Sequence, residues 1–178
     1  MNDISELLNK NLQSKNVKTQ LTGFILLIEM NVEFDQNIFN DCVKIGISHV
    51  DYDVVLECVK LLPKIKDQNI FNDCVKIGIS HDNWRVALGC VKLLPKIKDQ
   101  NIFNDCVKIG ISHGDYGVVL ECVKLLPKIK DQDVFNDCVK IGISHVDYDV
   151  VLECVKLLSK IKDQNIRIEC IKLVTQEH

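Results

Sequence analysis

Arginine occurs twice in these 178 residues, tryptophan once and proline three times. No run approaches the roughly 18 apolar residues that a membrane-crossing helix needs. The longest, Gly23 to Met30, contains Glu29. The chain opens Met1-Asn-Asp-Ile-Ser-Glu6, with acids where a secretory signal carries bases. Neither Cys-x-x-Cys nor His-x-x-x-His occurs, so the usual spacings of a zinc site are missing. The glycines are isolated and form no phosphate-cradling loop. No Ser/His/Asp or Cys/His set has the asymmetric setting a nucleophile needs, so neither an enzyme nor a cofactor is expected. Aromatic residues are scarce at 6%, and net charge is −3. Both weigh against a dedicated nucleic-acid binder. Nine cysteines without a signal segment point to free thiols in a reducing compartment, hence the cytoplasm.

What the chain does have is repetition. Asn-Ile-Phe-Asn-Asp-Cys-Val-Lys-Ile-Gly-Ile-Ser-His begins at Asn37, returns at Asn69 and Asn101, and returns at Asp133 with two changes. The period is 32 residues, so 37–164 is four tandem copies of one unit. Such arrays build a continuous core from neighbouring units and offer a ladder of similar surfaces.

Each unit reads as two helices. In the first copy Ile38, Cys42, Ile45 and Ser48/His49 follow a helical period, with Asn40, Asp41 and Lys44 on the polar side. Gly46 forgoes about 0.5–1 kcal/mol of helix stability relative to Ala, which suggests a neighbour too close for a side chain. Asp51 should cap the second helix and Asp67 the next unit's first. Val54, Val55, Cys58, Val59, Leu61 and Leu62 form the second helix's apolar side. Asp53, Glu57, Lys60 and Lys64 make one solvent-facing stripe. Pro63 should kink or end that helix near Leu62. About 12 residues per helix are expected, and no strands.

Asp41-Cys-Val-Lys-Ile and Glu57-Cys-Val-Lys-Leu are one phrase in both helices, and cysteine recurs every 16 residues from Cys42 to Cys170. These residues resemble a family. Asp51-x-x-Val54-x-x-x-Cys58-x-x-x-Leu62 with a short Asp-bounded turn is similar to the HEAT-like repeat, in the short form of phycobilisome-lyase-type proteins. Those repeats usually carry Ala where Cys58 stands and Arg where Val55 stands. The resemblance implies a right-handed α-solenoid of stacked antiparallel helix pairs, used as a protein-binding scaffold.

One domain over 1–178 is expected, with about eleven helices. It comprises a divergent pair over 1–36, four repeats over 37–164 and a capping helix over 165–178. Asp3-Ile-Ser-Glu6 reads as a capping box opening a polar helix to Ser14, and Lys15 to Met30 as its apolar partner. In the last half-unit Arg167 replaces Phe135 and Val174 replaces Gly142, as suits an end without a further neighbour.

The cysteines read as small buried apolar residues. His49, His81, His113 and His145 read as donors to free carbonyls at helix ends. The lysine rows read as a solvated face, balanced by acids in each unit. Differences between copies concentrate after the first helix. Val50-Asp-Tyr-Asp becomes Asp82-Asn-Trp-Arg in the second copy, and the third has Gly114 and Gly117. Trp84, Arg85, Tyr52, Tyr116 and Tyr148 are the candidate partner-contacting residues, because Trp and Arg are enriched at binding hot spots. The expected function is a non-enzymatic protein–protein interaction scaffold, monomeric or weakly self-associating and not membrane-bound. A nucleic-acid-tracking solenoid using the lysine rows, and a lyase-like helper acting on another protein, stand as alternatives.

Overall fold

A computed structural model describes residues 11–176. They contain ten α-helices and no strand. The chain divides into two compact units, Met1–Gly78 and Ile79–His178. The expected capping box and most of the polar helix over Asp3–Ser14 lie outside the described residues.

The first unit holds α1 (Val17–Glu29), α2 (Gln36–Ile47), α3 (Tyr52–Leu61) and nearly all of α4 (Gln68–Ile79). Asn16 caps α1, its Oδ1 accepting from the Thr19 N–H at 3.2 Å. The helix ends through Asn31 in the left-handed region at φ 54°, with the Val32 N–H donating back to the Leu27 carbonyl at 2.9 Å. Helix α2 packs on both α1 and α3, and α1 also touches α3. Phe24, Phe34 and Phe39 form an aromatic cluster with centroids 5.0–5.5 Å apart.

The second unit continues with α5 (Trp84–Val91), α6 (Gln100–Ile111), α7 (Tyr116–Leu125), α8 (Gln132–Ile143), α9 (Tyr148–Val155) and α10 (Gln164–Gln176). Here α5, α7 and α9 touch in order, and so do α6, α8 and α10. Antiparallel pairs thus stack in two layers, the α-solenoid arrangement expected from the period.

The capping chemistry follows the sequence. Asp51 Oδ1 accepts from the Asp53 N–H at 3.0 Å, and Asp67 Oδ1 from Asn69 and Ile70. Asp99, Asp131 and Asp163 repeat the pattern at α6, α8 and α10. First helices of the four repeats are 12 residues long, but second helices have only 8–10, followed by a 3₁₀ turn. The helix before Pro63 ends at Leu61, as expected, but proline is not required for that end. The turn Leu158–Lys160 has the same form with Ser159 in proline's place.

The expected core of the first helix is displaced by one position. Ile38 and Ile45 are 46% and 57% exposed, whereas Phe39, Cys42, Val43, Gly46 and Ile47 are buried. The bulky Phe39 sets the facing edge, and 39, 43, 46 and 47 recur at helical spacing behind it. That rotation carries Asn40 from the expected polar side into the interior, along with Asn72, Asn104 and Asn136. Burial requires partners. Gln68, Gln100 and Gln132 supply them for Asn72, Asn104 and Asn136, each donating Nε2 to its Asn Oδ1 at 2.9–3.0 Å; the Asn40 Oδ1 is buried without such a partner among the described residues.

All nine cysteines are free and buried. Those of α3, α7 and α9 explain the glycine ladder. A Cβ on Gly46, Gly110 or Gly142 would lie under 3.0 Å from the Sγ of Cys58, Cys122 or Cys154, respectively. The close neighbour inferred from Gly46 is therefore a thiol of the paired helix.

Candidate functional site: a groove between two turns

Second helices begin on an aromatic residue because the preceding Asp or Asn caps them, leaving the first helical side chain pointing outward. Trp84, Tyr116 and Tyr148 are 47%, 56% and 66% exposed, and Tyr52 holds the same place in the first unit. The Arg85 guanidinium carbon lies 5.4 Å from the Trp84 ring centroid, within cation–π range. Of the five candidate residues, only these two are brought together. Trp84 lines a groove. Tyr116 and Tyr148 stand outside it.

That groove holds about 530 Å³ between the turns of the second and third repeats. Ile79 and Ile109 contribute apolar side chains, and Asp82, Trp84, Gly114 and Asp115 join them. Three of the nine lining residues depart from the repeat's pattern. Asp82 and Gly114 stand where Val50 and Val146 do, and Trp84 stands where the others have Tyr. Gly114 is required neither by backbone nor by packing. No glycine among the described residues has positive φ, and a Cβ on Gly114 would meet nothing within 4 Å. Sequence reading flagged these differences but did not place Asp82 and Gly114 in one site with Trp84. The signal was their spacing: 84 and 114 differ by one period less two, so successive turns bring them side by side.

His113 organises the lip. Its Nδ1 accepts the Asp115 N–H at 2.9 Å, so Nε2 carries the proton and faces the His81 carbonyl at 3.2 Å. His49, His81 and His145 accept turn N–H groups in the same way. This adds to the expected role: each Nδ1 serves the following turn as an acceptor, while the expected approach to a helix-end carbonyl is made by His113 through Nε2. Asp115 Oδ1 in turn accepts from Gly117 and Val118, which fixes the carboxylate at the groove.

The remaining candidates do not assemble into chemistry. No group of three or more His, Cys, Asp and Glu side chains among the described residues could hold a metal ion. Burial pushes the Cys42, Cys74 and Cys138 thiols up to about 11 and Cys154 to about 12, from an ordinary 9.0. Such thiols stay protonated and are poor nucleophiles near neutrality. In three of the four repeats the second-helix lysine is engaged by an acid one turn back, as Lys60 with Glu57 at 2.6 Å. Lys124 with Glu121 and Lys156 with Glu153 repeat it. No described helix is long and apolar enough to cross a membrane. No family model, curated protein or solved structure matches the chain.

Proposed function

We propose that this chain is a non-enzymatic protein-interaction scaffold of HEAT-like repeats, working in the cytoplasm, and that the groove beside Trp84 is its docking site. One observation carries the reading. In an array of near-identical units, three departures from the pattern that lie in two different copies, Asp82, Trp84 and Gly114, meet at one groove and expose a large aromatic ring there. Drift at exposed positions would scatter them. Trp is enriched at hot spots because its broad apolar area is fixed by only two side-chain torsions. Tracking of nucleic acid by the lysine rows is disfavoured by the Glu paired with each second-helix lysine named above.

The test uses a uniform array. Asp82→Val, Asn83→Asp, Trp84→Tyr, Arg85→Asp and Gly114→Val restore the first unit's residues at each position. Both proteins are used as bait in the native host, and their captured proteins are quantified side by side. The reading expects a discrete set enriched by the native chain and lost with the uniform array. Indistinguishable sets would remove the groove as the docking site. Submicromolar, steeply salt-dependent binding to DNA or RNA would replace the reading with its runner-up.

A further inference from the structure

We infer that the groove seats the basic side chain of a partner polypeptide, a lysine or arginine whose stem lies along Trp84, Ile79 and Ile109 and whose charge meets Asp82 and Asp115. This deepens the scaffold reading and rests on it.

Charge complementarity decides the occupant. The groove lining carries two carboxylates and neither lysine nor arginine. The lining imidazole, His113, is tied into the turn, its Nδ1 on the Asp115 N–H and its Nε2 facing the His81 carbonyl. Asp115 is anchored by two backbone N–H groups, so one carboxylate is pre-positioned. Trp84 offers an apolar surface nearly half exposed. Long basic side chains suit such a lining, because the methylene stem covers apolar surface while the charged tip reaches the acids.

The same unit contains its own control. The groove between the turns of the third and fourth repeats is nearly equal in size, about 520 Å³. It is lined by Lys140, His113, His145, Ile111, Ile141 and two serines, a set without acid or aromatic ring. Size is thus common to both grooves, while sign of charge and the aromatic ring distinguish the first. Asp82 is itself a departure from the repeat, so that acidity is particular to this site. Arg85 is a like charge beside the seat, against the ring and outside the lining.

Trp84 is the only tryptophan, so its fluorescence reports on the site directly. The full chain is titrated with three capped nine-residue Gly/Ser peptides carrying a central Arg, Glu or Leu. The inference expects the Arg peptide to saturate the signal at least tenfold below the other two. Raising the salt should weaken that binding, as screening of exposed charges requires. Asp82→Asn should weaken it several-fold, and Arg85→Gln, which removes the like charge, should tighten it. Should Asp82→Asn disturb folding, as read by circular dichroism, the salt series and Arg85→Gln still decide. Equal or tighter binding of the Glu or Leu peptide overturns the inference and leaves the docking site standing. No change with any peptide up to about 10 mM, near −2.7 kcal/mol, overturns both.

Discussion

Gly110 and Cys122 form the most exposed joint in the packing argument. A Cβ added at 110 would come under 3.0 Å from Cys122 Sγ, and Cys122 is 0% exposed. Ordinary contact needs about 3.5–4.0 Å, so α6 and α7 must separate by at least about 0.5 Å, or the thiol must leave its rotamer. Overpacking of this kind costs about 1–3 kcal/mol. Replacing Gly by Ala within a helix returns about 0.5–1 kcal/mol. Gly110→Ala should therefore destabilise by up to about 2.5 kcal/mol net, with a centre near 1 kcal/mol. Cys122→Ala alone loses one buried group and leaves a small void, about 1 kcal/mol. In the double variant the added methyl occupies the space of the lost sulfur. It should lose no more than about 1 kcal/mol, giving a favourable coupling of about 1 kcal/mol or more. Urea unfolding of the four proteins of the cycle, followed by Trp84 fluorescence and circular dichroism together, measures this. Additivity within about 0.5 kcal/mol would show that the thiol is not what keeps Gly at 110.

Three further outcomes follow from the packing. The raised thiols bind their protons more tightly folded than unfolded. Stability should be full below about pH 9 and fall as pH climbs toward the folded values of about 11 to 12 for Cys42, Cys74, Cys138 and Cys154. The loss is about 1.4 kcal/mol per thiol per pH unit, and flat urea midpoints above pH 9 would contradict it. Asn104→Ala, which removes the buried acceptor of Gln100, should cost about 1–3 kcal/mol; a change within about 0.5 kcal/mol in urea unfolding would show that the buried pair contributes little. Asn31, at φ 54°, should accept Gly with a gain of up to about 1 kcal/mol and lose about 1–2 kcal/mol on change to Val, both read by thermal melting.

The fold was largely legible because the 32-residue period marks units and the Asp caps mark helix starts. The second helix's core, from Val54 to Leu62, followed from its apolar run. The first helix was misread by one position because Ile38 and Ile45 are as apolar as the residues that displaced them. Hydrophobicity alone does not rank isoleucine below Phe39 and Gly46 for a place inside. Nor does it put Asn72, Asn104 and Asn136 there, since each of those buried amides becomes tolerable through the glutamine four residues earlier. Trp84 and Arg85 stood out as departures from the pattern. Asp82 and Gly114 became part of one site only when two turns a period apart were placed side by side. Gly114 differs from packing glycines such as Gly110 in that those recur in every copy, but the sequence alone does not show which groove it borders.

The central claim is that one groove of the array, and not its repeated surface, meets the partner. Gly114 and Val146 are equivalent positions in successive repeats, both on open surface: Gly114 has nothing near its missing Cβ, and Val146 is 100% exposed. A photo-crosslinking amino acid placed at 114 or at 146, in separate proteins irradiated in the native host, compares the groove with the equivalent turn of the next repeat directly. Discrete adducts from position 114, with none of comparable yield from 146, are the predicted result. Equal adducts at both, or adducts from 146 alone, would contradict it.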